Sequence, residues 1–127
     1  MKIDRQKVFE KFDGKCAYCG CDLEKGWNLD HAIPQWYCET KTPIASVEQV
    51  HCFENYMPSC RSCNLFKSGN PIEAFRNELG KQIERLRRDK PTFRIAERFG
   101  LIECNPKVVE FYFESHASIF NPNEPIK

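Results

Sequence analysis

A chain of 127 residues is long enough for one ordinary domain and too short for two. Its 41% hydrophobic and 29% charged residues are those of a soluble globular protein, and no apolar run approaches the length of a membrane span. The net charge of +1 says little about partners, so neither an acidic nor a basic function class follows from it. Residues 1–10 are charged and helical in pattern, without the apolar stretch of a signal peptide, which places the expected location in the cytosol. In a reducing compartment the eight cysteines read as metal ligands before disulfides.

Taken in order, residues 4–12 form a short helix, with Asp4 as its cap, Val8, Phe9 and Phe12 on one face and Gly14 just beyond it. Cys16-Ala-Tyr-Cys19-Gly20 follows as a tight turn carrying two thiols. Residues 27–33 fit a strand that Pro34 interrupts. Residues 35–53 are an irregular excursion ending in a second short strand or loop, and a short helix starts near Cys60. Asn70-Pro71-Ile72-Glu73 opens the clearest helix, 71–90, in which Ile72, Phe75, Leu79, Ile83 and Leu86 recur at helical spacing as core residues. Pro91 closes it, and a further helix over 92–99 stops at Gly100. Residues 108–114 alternate, with Val109, Phe111 and Phe113 on one face, and predict a strand paired with 101–103 across Asn105-Pro106. The last seven residues read as a mobile tail.

Two CxxC turns, Cys16/Cys19 and Cys60/Cys63, stand 40 residues apart. Each can present two sulfurs to one ion, and together they complete the tetrahedral shell that zinc favours. Such an ion would join distant segments of a small domain. The other reading is four free or disulfide-bonded cysteines. Cys21 lies close enough to the first turn to compete for the metal. Cys38, His51 and Cys52 follow no common zinc spacing, and buried free cysteine suits them, Cys21 and Cys104.

Between the turns lies Leu29-Asp30-His31-Ala32-Ile33-Pro34. Adjacent residues of a regular strand point to opposite faces, so Asp30 and His31 share a site only at a bulge or strand end. An isolated Asp-His pair carries little meaning. Here it is followed by Asn55 and, nine residues on, by Asn64 directly after Cys63, then Lys67.

In this order (CxxC, Asp-His-x-x-Pro, Asn, CxxC-Asn, Lys) residues 15–69 resemble the HNH endonucleases of the ββα-metal fold. The resemblance implies a ββα-metal core with two zinc knuckles, which with the flanking helices and the C-terminal helix plus short β-hairpin read above makes an α+β chain. The expected organisation is one domain, with the nuclease core and its helices over 1–90, an accessory element over 91–120 and the tail over 121–127. The resemblance implies His31 as general base, Asn55 as the residue that holds the loop and orients His31, and Asp30 and Asn64 as ligands of a catalytic magnesium, or manganese or nickel. It implies structural zinc on Cys16, Cys19, Cys60 and Cys63. The substrate expected is DNA, with RNA as the alternative, and by analogy the setting is phage or defence. Against the family, the gap from His31 to Asn55 is long and contains Trp36, Tyr37 and Cys38.

The chemistry agrees with these roles. Neutral imidazole takes a proton from water near pH 7. Magnesium held by a carboxylate and an amide oxygen keeps positions for water and phosphate. Lys67, Arg61, Arg85 and Arg88 are candidate phosphate contacts; residues 81–98 hold seven basic side chains against three acidic ones. A solvated helix face accounts for that excess equally well. The competing function is a non-catalytic, zinc-stapled nucleic-acid-binding module, which needs neither Asp30 nor His31.

Overall fold

The computed structural model describes residues 3–116. They comprise helices and one two-stranded antiparallel sheet, an α+β architecture. The chain divides into two compact units: one reaches Ile72 and resumes at Glu110, the other is Glu73–Val109. The expected tail, 121–127, lies outside the described residues. No helix among the described residues is long and apolar enough to cross a membrane.

In the first unit, helix α1 (Arg5–Glu10) starts where expected, with the Asp4 carboxylate accepting from the Lys7 amide at 3.2 Å. Val8 and Phe12 enter the core. Lys11, which follows α1, is also buried, and its Nζ donates to the carbonyls of Phe53, Glu54 and Tyr56 at 3.0, 3.1 and 2.8 Å. These three bonds satisfy an ammonium in the interior, where an unpaired one would be very costly. Burial nonetheless lowers its pKa from 10.5 to about 8.

Strand β1 (Asn28–His31) pairs with β2 (Tyr56–Ser59) in the register Asn28 with Ser59 and His31 with Tyr56. All four β2 residues are buried. Proline is tolerated there because Pro58 has no N–H to strand, while its carbonyl accepts from the Ala17 amide at 2.8 Å. The first CxxC turn is thus bonded directly to β2. Gly20 closes that turn at φ +78°, and a Cβ there would lie 2.6 Å from the Tyr112 ring. Helix α4 (Arg61–Lys67) follows β2 at once, capped by Cys60, whose sulfur accepts from the Cys63 amide at 3.4 Å.

The excursion between the strands is more ordered than its composition suggests. It holds α2 (Trp36–Glu39), α3 (Val47–Val50) and a 3-10 turn at Phe53–Asn55. Ser46 and Gln49 form a capping box at the start of α3. Val50 is fully buried, and the Ile44 amide donates back to the Tyr37 carbonyl at 2.9 Å, so the segment folds upon itself. The second strand begins after this excursion, not within it.

The expected strand over 108–114 and its hairpin partner at 101–103 do not form. Residues 110–116 instead return to the first unit and end in α8 (Tyr112–His116). Phe111 and Phe113 are buried, with ring centroids 5.6 and 6.2 Å from that of Tyr18. The alternation of Phe111 and Phe113 reports burial, not a strand. The amides of Tyr112 and Phe113, free at the head of a helix, donate to the carbonyls of Tyr18 and Ala17 at 3.0 and 2.8 Å.

In the second unit the helix expected over 71–90 is two helices, α5 (Ile72–Gly80) and α6 (Gln82–Asp89). The break falls at Gly80 and Lys81, where glycine weakens the helix and Lys81 sits at ψ −3°. Ile72 and Phe75 are buried, whereas Leu79, Ile83 and Leu86 are half-buried. Helix α7 (Pro91–Arg98) packs on α6 and stops as expected at Gly100, φ +70°.

Candidate functional site

Two groups of side chains in the first unit have the makings of a site. The first is a cluster of thiols. The sulfurs of Cys16, Cys19, Cys21 and Cys60 all lie within 4.8 Å of one another, and those of Cys19 and Cys60 are 3.8 Å apart. Four thiols at this separation can hold a thiophilic metal ion. The set differs from that expected. Cys21, read as a buried free cysteine, is exposed and inside the cluster. Cys63 adjoins it, its amide donating to the Cys60 sulfur at 3.4 Å. The neighbouring Cys63 thiol, helped by amides of the two turns, draws the Cys16 pKa down despite burial. A lowered pKa favours the thiolate form that binds metal.

The second group surrounds a cleft of about 480 Å³ lined by Asp30, His31, Trp36, Glu39, Lys67 and neighbouring residues. Asp30 and His31 occupy the last two positions of β1. Asp30 Oδ2 accepts from the Tyr18 hydroxyl at 2.5 Å and pairs with Lys67 Nζ at 3.0 Å. Its other oxygen has no protein partner among the described residues. Burial, reinforced by the Asp30 charge, pushes the Tyr18 pKa well up, so the phenol remains a donor. Lys67 also donates to the His31 carbonyl at 3.0 Å. One ammonium therefore fixes both members of the Asp-His pair.

His31 is held edge-on to His51 and Tyr56, with ring centroids 5.4 and 5.3 Å away. Burial, then the neighbouring His51, lowers its pKa below the ordinary 6.5, outweighing the attraction of Asp30. Its Nε2 is buried and has no hydrogen-bond partner among the described residues. The lowered pKa favours the neutral imidazole near pH 7, with one buried ring nitrogen unpartnered among the described residues.

Asn55 takes the place expected of a loop clamp. It is buried, its Oδ1 accepts from the Ile33 amide at 2.7 Å, and its Nδ2 donates to the carbonyls of Ile33 and Val50 at 3.0 and 2.9 Å. Its own carbonyl accepts from the Ala32 amide at 3.0 Å. The two residues that follow His31 are fixed by this one side chain and its backbone. Trp36 closes the opposite edge, its indole donating to the Gly69 carbonyl at 2.7 Å.

Other expected site residues fall elsewhere. Asn64, one turn before Lys67 on α4, is half-buried, is absent from the cleft lining, and has no side-chain hydrogen bond among the described residues. Lys67, expected as a surface phosphate contact, is buried, because its ammonium is consumed by Asp30 and His31. Arg61 is exposed beside a second groove with Cys21 and Cys60. In the second unit Arg85 pairs with Glu78 at 2.7 Å, Arg88 with Asp89 at 2.9 Å, and Arg87 with Glu97 at 2.7 Å. Arg94 donates to the carbonyls of Arg87 and Arg88. The local basic excess is thus largely engaged within the helical hairpin.

Cys38 and Cys52 donate to the carbonyls of Gln35 and Gln49, and Cys104 to Glu97; none joins the thiol cluster. Sequence reasoning missed Tyr18, His51, Trp36 and Glu39 as companions of Asp30 and His31. Only Tyr18 had a signal, its place inside the CxxC turn. Comparison with protein-family models, curated proteins and solved structures found no match.

Proposed function

We propose that this chain is a metal-dependent endonuclease of the HNH type that hydrolyses phosphodiester bonds in DNA, with His31 as general base. The observation that carries the reading is an imidazole beside a carboxylate in the lining of a cleft, its pKa lowered by burial and its buried Nε2 without a hydrogen-bond partner among the described residues. Hydrolysis needs a group that accepts the proton of the attacking water, and a neutral histidine near pH 7 does so. Lys67 and Asn55 hold the backbone on either side of His31, which limits how far the base can drift from water.

The donor set suits a hard divalent cation in part. Asp30 offers a carboxylate at the cleft, and Asn64 makes no side-chain hydrogen bond among the described residues. Asp30 would hold magnesium or manganese, which when bound supplies positive charge to the phosphate and to the departing oxygen; Asn64, expected as the second ligand, does not line the cleft. Glu39 offers a second carboxylate at the cleft. The thiol cluster would hold zinc in a structural role, since four sulfurs close its shell and leave no place for water.

The test is cleavage of supercoiled plasmid by the native protein and by His31→Ala, each with magnesium, manganese and nickel. Nicking by the native protein and a loss of about 10²-fold or more in the variant is the expected result. Equal cutting by both removes His31 as the base. No cutting by the native protein with any of the three ions returns the chain to the binding-module reading.

A further inference from the structure

The thiol cluster contains one sulfur more than a tetrahedral ion can use. Cys16, Cys19, Cys21 and Cys60 lie within 4.8 Å of one another, and Cys63 adjoins them, its amide 3.4 Å from the Cys60 sulfur. Three of these thiols belong to any plausible set: Cys16 and Cys19 from the first turn, and Cys60 at the head of α4. For the fourth vertex there are two candidates, carried by different parts of the chain.

Both candidates are held in place by backbone bonds. Cys63 sits in the first turn of α4, its amide donating to the Cys60 sulfur. Cys21 is held by its carbonyl, which accepts from the Cys16 amide at 2.8 Å, and by the Lys15–Asp22 ion pair beside it. Neither therefore has to be recruited from a distant loop. Cys21 is exposed, and with Cys60 it lines an open groove of about 500 Å³, so solvent reaches this side of the cluster.

We propose that the centre binds one zinc ion through Cys16, Cys19 and Cys60, with Cys21 and Cys63 as interchangeable fourth ligands. This rests on reading the cluster as a zinc site and is independent of the nuclease reading. The thiol not bound stands next to the ion as a nucleophile, and exchange between the two needs no loss of the other three sulfurs.

The experiment uses the full chain loaded with zinc, and with cobalt as a spectroscopic substitute. Cys21→Ser and Cys63→Ser are each expected to retain one equivalent of zinc and a four-thiolate cobalt spectrum. The double variant is expected to lose affinity by more than the roughly 10–100-fold that removal of an outer-shell partner costs. Limited alkylation of the zinc-loaded native protein with iodoacetamide, read by peptide mass, is expected to label Cys21 or Cys63 in each molecule, with Cys16, Cys19 and Cys60 protected. Double labelling should accompany zinc release.

Loss of zinc from Cys63→Ser while Cys21→Ser keeps it, with Cys63 fully protected in the native protein, overturns interchange and leaves Cys21 a bystander. The converse pattern, with Cys21 protected, overturns it too. Retention of a four-thiolate spectrum by the double variant overturns both candidates. A native protein that binds neither ion overturns the zinc reading itself, a result distinct from the others.

Discussion

The Tyr18 hydroxyl donates to Asp30 Oδ2 at 2.5 Å, while the amide of the same residue lies 3.4 Å from the Cys16 sulfur. One buried residue thus ties the thiol cluster to the carboxylate of the cleft. Because it stands inside the CxxC turn, any movement of that turn moves a hydrogen bond on Asp30.

Tyr18→Phe keeps the ring packing on Phe111 and Phe113 and removes only the hydroxyl. The expected loss is about 1–2 kcal/mol of stability, from a hydrogen bond to a charged acceptor. Chemical denaturation measures it. An unchanged midpoint would show that Asp30 finds another donor.

Lys67→Met leaves the Asp30 carboxylate facing the space of a buried ammonium. Removing one partner of a buried pair costs about 3–5 kcal/mol. If Asp30 is a metal ligand, magnesium should raise the melting temperature of the variant more than that of the native protein, since the cation now replaces the lost charge. An equal response in both proteins would count against Asp30 as a ligand.

Asn55→Ala removes three hydrogen bonds and bares the amide of Ile33 and the carbonyls of Ile33 and Val50. Each buried group left without a partner costs about 1–3 kcal/mol, so the variant should be destabilised by several kcal/mol. Asn55→Asp retains the acceptor for Ile33 but not the two donated bonds, and adds a buried charge. It should rescue little, as a denaturation series of the three proteins would show.

The lowered pKa of His31 fixes the sign of two pH effects. Native His31 stays neutral at pH values where an unfolded histidine, with pKa 6.5, has taken a proton. Stability from this group is therefore full above pH 6.5 and is lost as pH falls below it, because the unfolded chain binds more protons. The acid limb of any cleavage profile should likewise lie below 6.5. His51→Ala removes a neighbouring charge that lowers the pKa, so it should move that limb upward. A limb that shifts down or stays fixed would remove His51 from the electrostatics of the site.

Much of the local structure was legible. Asp4 caps α1, Cys60 heads α4, and Pro91 and Gly100 bracket α7, because capping and turn chemistry act within a few residues. Where the reading failed, a local pattern had two possible causes. Phe111 and Phe113 alternate because Tyr18 buries both, and no strand pairs with them. The apolar stripe over 72–86 continues across Gly80, but stripe continuity does not fix ψ at Lys81.

The sequence by itself determined which residue types were available: eight thiols, an Asp-His pair and two asparagines in order. Tertiary structure alone decided which of them meet. It brought Cys21 into the thiol cluster, buried Lys67 on Asp30, and set His51 against His31. Those contacts join residues up to 39 positions apart through the packing of β1, α4 and the folded excursion. Backbone propensity acts over a turn or two, whereas a buried charge or thiol takes its partner from whatever the core brings within reach.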